Sequence, residues 1–367
     1  MEQEAISQTA RDSPESGICS PAGRLQNGRN GAPPARRICG ARTNRKIRDE
    51  MTQTAGQARF ESPQRETRVI AVANQKGGVG KTTTVINLSA CLAALKKKVL
   101  VVDLDPQANA TSGLGVPRDR GSGLYRALLH ETPSDGLAVP SPVDGIYIIP
   151  AELDLAGSEV DIARLDNYLH CLGLVLQPFC AGRVFDFIFI DCPPSLGILT
   201  MNALTASHSM LIPMQCEYYA LEGLSVITRL IDRIRLGGAN PGLEIEGILM
   251  TMYDGRTNLS QEVVDEVRKH FGEKVYRTVI PRNVRLGEAP SYGQPVIVYD
   301  RHSSGARAYS ALAREFLSRN AARTAARVQG ERAGLADAQS QPGSTSASSQ
   351  EQQPVSDSSS SQPSSTS

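Results

Sequence analysis

The chain lacks any apolar run approaching 18 residues, the length a helix needs to cross a bilayer. Its first residues include Arg, Asp, Glu and Pro where a secretory leader would carry an apolar stretch, so neither a membrane-spanning nor a secreted protein is expected. No CxxC pair is present. The seven cysteines (Cys19, Cys39, Cys91, Cys171, Cys180, Cys192 and Cys216) are odd in number and scattered, which argues against a disulfide framework or a zinc site and points to the cytosol. Charge of one sign is missing too. A formal net charge of +1 provides no global field to draw in nucleic acid or membrane, so any such binding must come from a local patch. There is no internal repeat. What remains is ordinary globular composition, 40% hydrophobic and 21% charged over 367 residues, which excludes wholesale disorder, a coiled-coil rod and a collagen-like fibre.

Residues 1–66 are rich in Gly, Pro, Ser, Arg and Gln, as in Gly28-Arg29-Asn30-Gly31-Ala32-Pro33-Pro34, and show neither period 2 nor period 3.6. Such a segment buries too little apolar surface to offset its ordering entropy, and a disordered extension is expected. Met51 lies just before the composition turns ordinary, so residues 1–50 read either as a tail or as the product of an early start codon. Residues 329–367 read as a disordered tail, Ser/Gln/Pro/Thr-rich from about Ala338. The folded domain is placed at 67–328.

Within it, short apolar runs alternate with amphipathic stretches, the signature of βα units. Strands are expected at 68–73, 99–103, 146–149, 187–191, 210–213 and 248–251, almost continuously apolar as strands covered on both faces should be. Helices are expected at about 81–95, 155–175, 220–236, 259–270 and 305–327. The fold class is α/β, a mainly parallel twisted sheet with helices on both faces.

After the first strand comes Lys76-Gly77-Gly78-Val79-Gly80-Lys81-Thr82-Thr83, then a helical stretch. Glycines let successive backbone N–H groups converge on phosphate oxygens, and the helix N-terminus adds its positive end. Lys81 would meet the β and γ phosphates and Thr82 would hold Mg²⁺. The pattern GxxxxGK[ST] asks for Gly where this chain has Gln75, and it does not ask for Lys76. A Rossmann turn fits less well, because Thr83 occupies the third glycine's position. Downstream, Asp103 and Asp105 sit at the end of the second strand, where either could orient water. The strand 187–191 ends in Asp191, placed as a carboxylate that binds Mg²⁺ directly or through its waters.

With these segments in view, the chain resembles the ParA/Soj family of chromosome- and plasmid-partitioning ATPases, a deviant Walker A class of P-loop NTPase. The resemblance covers about 67–318 and rests on the loop at 76–83, Asp103-Leu104-Asp105-Pro106-Gln107-Ala108 and the residues that follow, Asp191-Cys192-Pro193-Pro194-Ser195, Gln215-Cys216-Glu217-Tyr218-Tyr219, Met252-Tyr253-Asp254-Gly255-Arg256-Thr257 and Pro281-Arg282-Asn283-Val284-Arg285. Ala108 departs from it, since the family commonly has Gly there.

The resemblance implies that Gly77, Gly78, Val79, Gly80, Lys81, Thr82 and Thr83 enclose ATP, with Lys81 and Thr82 serving ATP and Mg²⁺ in their own subunit. It implies that Lys76 reaches across a nucleotide-sandwiched homodimer, Asp105 positions the attacking water, Asp191 lies in the Mg²⁺ shell, and Pro281 and Asn283 line the adenine pocket. Arg256 and Arg285 match DNA-contacting positions, and a DNA-bound ParB-type partner would stimulate hydrolysis in the cytoplasm, at the nucleoid.

Three other readings share the loop. A MinD-type membrane-cycling regulator should end in an amphipathic anchor. Here Tyr309, Leu312, Phe316 and Leu317 are expected to pack on the core, and residues 321–327 lack bulky apolar side chains, so no membrane partner is expected. An Fe–S ATPase similar to the nitrogenase iron protein needs a spaced cysteine pair that Cys192 does not have. Nothing specific supports a small-molecule kinase.

Overall fold

The computed structural model describes residues 66–118 and 123–339. The disordered extension expected before residue 66 and the tail beyond 339 lie outside the described residues.

Five-residue apolar runs make the central strands. β1 (Arg68–Val72), β2 (Val99–Asp103), β4 (Ile146–Ile149), β5 (Phe187–Asp191), β6 (Ser209–Gln215) and β7 (Glu244–Thr251) are parallel, and the two-residue β3 (Val139–Pro140) pairs antiparallel with β4. The order across the sheet is β3-β4-β2-β5-β1-β6-β7. Because side chains alternate along a strand, β1 sends Val69 and Ala71 to one core and Ile70 and Val72 to the other. Sequence placed the six longer strands. It missed β3, which is too short to carry a period.

One face is covered by α1 (Lys81–Ala94) and the far helix α11 (Ser304–Gln339), which bring Val85, Ile86, Leu88 and Leu92 against Tyr309, Leu312 and Phe316. Each such fully buried aliphatic contributes about 1.5–3 kcal/mol. The intervening helices are α2 (Asn109–Gly113), α3 (Leu124–Leu128), α4 (Leu155–Ile162), α5 (Cys171–Ala181), α6 (Ile198–Thr205), α7 (Ala220–Leu236), α8 (Asn258–Phe271), α9 (Val284–Glu288) and α10 (Val296–Tyr299). Helices α4 to α8 cover the opposite face. The spacing of Leu224, Ile227, Ile231 and Ile234 gives α7 one apolar stripe, turned to the sheet.

Two helix expectations need correction. The single helix expected at 155–175 is two, α4 and α5, because Asn202 of α6 inserts at the break. Its Nδ2 donates to Tyr168 O at 2.7 Å, and its Oδ1 accepts from Leu172 N at 3.1 Å, satisfying the first turn of α5. The last helix runs to Gln339 instead of 327, so residues 329–339, assigned to the tail, continue α11.

At the N-terminal edge of the sheet, the buried Glu246 carboxylate collects Arg68 at 3.0 Å, Ser209 Oγ at 2.7 Å, and Arg323 from α11. This network pins β1, β6, β7 and α11 together at the end away from the carboxyl-terminal edge.

Candidate functional site

In an open parallel sheet, ligands sit beyond the carboxyl ends of the strands where the chain order reverses. Here β1 lies between β5 and β6, and the loop that leaves it enters α1 through Gly80 (φ 89°, ψ 29°), a left-handed conformation that suits glycine. Gly78 (φ 73°) turns the same way. Asn74, buried just after β1, donates from Nδ2 to Pro213 O at 2.7 Å and accepts Lys76 N–H on Oδ1 at 3.0 Å, bolting the loop's entrance to β6. Residues 75–78 are exposed, whereas Val79 and Lys81 are buried. Thr82 and Thr83 follow on the first turn of α1, half-buried. The Lys81 ammonium donates to Lys76 O at 3.3 Å. Burial pulls its pKa down, opposed by the charges of Asp191 and Asp105.

The carboxylates are brought together by register. Val72 pairs with Asp191 and Asp103 pairs with Asp191, so three strand ends meet beside Lys81. Their roles separate by hydrogen bonding. Asp103 Oδ2 accepts from Thr111 N at 2.8 Å and Thr111 Oγ1 at 2.7 Å, and its Oδ1 accepts from Asp105 N at 3.2 Å. It is a structural clamp on the turn into α2, and burial pushes its carboxyl up to about 6 against those bonds. Asp105 is committed through Oδ1 to Gln107 N at 3.0 Å. Of the two candidates for orienting water, Asp105 is the one with capacity left.

Asp191 is wholly buried, and neither of its oxygens meets full hydrogen-bond geometry with a donor among the described residues, although the Thr82 hydroxyl lies near enough to favour its charged form. Burial pushes its pKa well above the usual carboxylate range, the neighbouring Asp103 adds to this, and Thr82 and Lys81 pull it back. A buried carboxylate with two such oxygens beside a threonine hydroxyl and a lysine fits a hard divalent cation that also takes phosphate and water ligands.

Ala108, the departure from the family pattern, has φ 52° and ψ 38° at the N-terminus of α2, a left-handed conformation that explains a preference for glycine there. The ammonium of Lys76 is paired with Glu217 of its own chain, at the exposed end of β6. Sequence reasoning quoted Glu217 without assigning it a role; an acid two residues past a strand end was the available signal. Asn74 carried no motif signal.

The second cluster lies beside the loop after β7. Tyr253 bridges Pro281, and Arg282 N donates to Tyr253 O at 2.9 Å, so the turn carrying Arg256 lies next to the turn carrying Arg282 and Arg285. Both expected DNA residues are ion-paired within the chain. Arg256 grips Asp254 through Nε at 2.8 Å and Nη2 at 2.6 Å, and Arg285 meets Glu288 at 2.7 Å and Asp300 at 3.5 Å. Arg282 is exposed and makes no side-chain ion pair among the described residues. Asn283 caps α9 by accepting Arg285 N at 2.9 Å and donates to Ser304 Oγ at 2.5 Å, while Pro281 is half-buried.

Cys192 is fully buried, its thiol pushed far up by burial, and no group of three or more His, Cys, Asp or Glu that could hold a metal ion occurs among the described residues. Tyr309, Leu312 and Phe316 are buried in the core, and no helix among the described residues is long and apolar enough to cross a membrane.

Strand, glycine loop, helix and three converging aspartates define a P-loop ATPase. Residues 67–245 match an AAA domain family. The chromosome partitioning protein ParA of Myxococcus xanthus is 51% identical over 254 residues, covering 69% of this chain and 89% of that protein. The sporulation initiation inhibitor protein Soj of Bacillus subtilis is 51% identical over 251 residues, covering 68% and 97%. Among solved structures, cobyrinic acid a,c-diamide synthase from Mycobacterium smegmatis with bound ATP analog and magnesium shares 37% identity at a TM-score of 0.58, over 67% of this chain and 93% of that one. The septum site-determining protein MinD of Pyrococcus horikoshii, complexed with Mg-ADP, shares 27% at 0.56, over 68% and 95%. The chain belongs to the ParA/Soj family of chromosome-partitioning ATPases.

Proposed function

We propose that this ATPase is the nucleotide-driven switch of a DNA partition system: an ATP-dependent homodimer that binds DNA without sequence preference and is reset when a DNA-bound ParB-type partner stimulates hydrolysis, at the nucleoid. The observation that carries the nucleotide chemistry is the buried pair of Asp191 oxygens, short of full hydrogen-bond geometry, beside Thr82 and Lys81. Thr82 and Asp191 would hold Mg²⁺, which supplies charge neutralisation on phosphate oxygens when bound. Residues 77–83 cradle the phosphates, Lys81 supplies a fixed positive charge, and Pro281 and Asn283 border the adenine. Asp105 orients the attacking water. No strong base lies in the cluster, so hydrolysis in isolation is slow and left to a partner to accelerate.

Lys76 is the element that ties ATP to assembly. Its ammonium, exposed and held by Glu217 in the single chain, can neutralise a second subunit's phosphates only when two chains meet. Two subunits would align two copies of the Arg256 and Arg285 surface, and counterion release from several phosphates makes the affinity additive and salt-sensitive. DNA co-sedimentation with ATP, ADP or a non-hydrolysable ATP analogue tests the reading. Retention of DNA with ATP and the analogue, weak with ADP, is expected, with log affinity falling against log salt by about 0.9 per phosphate neutralised. Equal retention with ATP and ADP, or wild-type salt slopes in both Arg256→Ala and Arg285→Ala, would sink it.

A further inference from the structure

The last residue of β7, Thr251, is buried, and its hydroxyl donates to Val79 O at 2.8 Å across 172 positions of sequence. The same side chain places its methyl where a Cβ on Gly80 would lie 3.8 Å away. In a trans peptide the carbonyl and the following N–H point in opposite directions. A Val79 carbonyl turned onto Thr251 therefore turns the Gly80 N–H away from β7. Thr251 is itself held from the other side, its carbonyl accepting Cys216 N at 3.3 Å from the end of β6.

Immediately beyond it, Met252 adopts φ 51°, a left-handed conformation that costs a non-glycine residue about 1–2 kcal/mol. That turn ends the strand and delivers Tyr253 to Ile280 O at 3.0 Å and Asp254 to Arg256. One threonine thus stands between the peptide at the mouth of α1 and the turn that carries the arginine cluster.

The geometry points to Thr251 as a positioning residue: its hydroxyl orients the Val79–Gly80 peptide for phosphate binding and joins that peptide to the surface bearing Arg256, Arg282 and Arg285. The second half rests on the DNA role proposed above, and the first does not. Valine replaces the hydroxyl by a methyl group and would keep the methyl contact with Gly80 while leaving the Val79 carbonyl buried and unpaired. An unpaired buried carbonyl lowers stability whether or not the direction of the peptide matters, so the positioning role is read in the nucleotide affinity of the folded variant and not in its stability.

Thr251→Val and Thr251→Ser separate these cases in the full chain. Affinity for a fluorescent ATP analogue should weaken about tenfold in Thr251→Val, the equivalent of one buried hydrogen bond, and stay near wild type in Thr251→Ser. At saturating nucleotide, the ratio of DNA affinities with ATP and ADP should fall towards one in Thr251→Val and be kept in Thr251→Ser. Wild-type nucleotide affinity in a folded Thr251→Val, or an equal loss in Thr251→Ser, overturns the positioning role. A wild-type DNA ratio in Thr251→Val overturns the link to the arginine surface. If wild-type protein itself shows no difference between ATP and ADP on DNA, the DNA reading and the link fail together, and the nucleotide titration still decides the positioning role. Should Thr251→Val not fold, Thr251→Ala removes the same hydroxyl and takes the same measurements.

Discussion

Two aspartates two positions apart are held differently, because their hydrogen bonds differ. Asp103 spends both oxygens on the Thr111 N–H and hydroxyl and the Asp105 N–H, so Asp103→Ala should cost about 1–3 kcal/mol of stability, read as a lower urea midpoint. Asp105 has capacity left, and Asp105→Ala should keep nucleotide affinity while turnover falls by about 10²–10⁴. A wild-type rate in Asp105→Ala, with turnover lost in a folded Asp103→Ala, would exchange the assignments. Glu217 gives a further handle. Since it holds Lys76 within its own chain, Glu217→Gln should free the lysine and let ATP drive dimerisation at lower protein concentration. Sedimentation equilibrium with a non-hydrolysable ATP analogue measures this, and an unchanged midpoint would show that the pair does not restrain assembly.

At the scale of elements, the sheet has a chemical edge and a structural edge. The carboxyl ends of β1, β2, β5 and β7 carry the loop, the aspartates and Thr251. The opposite end carries Glu246, bound by Arg68, Ser209, Asn320 and Arg323. Removing a buried carboxylate that compensates two arginines is strongly destabilising, and Glu246→Ala should lose about 3 kcal/mol by chemical unfolding. Nucleotide affinity of the folded fraction should be unchanged, because the network lies at the far end of the strands. A large loss of affinity without loss of stability would contradict this division.

For the whole molecule, the pH dependence of stability carries a contribution from His208, where β6 begins. Its Nδ1 accepts Val69 N–H at 3.0 Å, which requires that nitrogen to be unprotonated. Partial desolvation lowers its pKa below the ordinary 6.5 although the side chain keeps 41% of its surface exposed, Arg68 adds to this and Glu66 opposes it. A histidine depressed in the folded state contributes stability that is present above its unfolded pKa and is lost as pH falls through the folded value. The thermal midpoint should therefore drop as pH falls below about 6.5, and His208→Gln should flatten that part of the profile. An unchanged profile in His208→Gln would remove His208 as its source.

Local composition determined what it could reach: six strands from short apolar runs, the phosphate loop from its glycines and lysines, and the class of chemistry from acids at strand ends. These are properties of neighbouring residues, so a linear reading sees them. Only the tertiary structure separated Asp103 from Asp105, because that depends on Thr111 coming back to one of them. It divided the helix at 155–175 because Asn202, far along the chain, supplies the partners that make the break tolerable. It paired Lys76 with Glu217, and Arg256 and Arg285 with carboxylates, since an ion pair is a matter of distance in space. Thr251 illustrates the same limit. An unremarkable threonine at the end of an apolar strand meets Val79 across 172 positions, a contact created by the parallel order of the sheet and by no feature of the sequence around either residue.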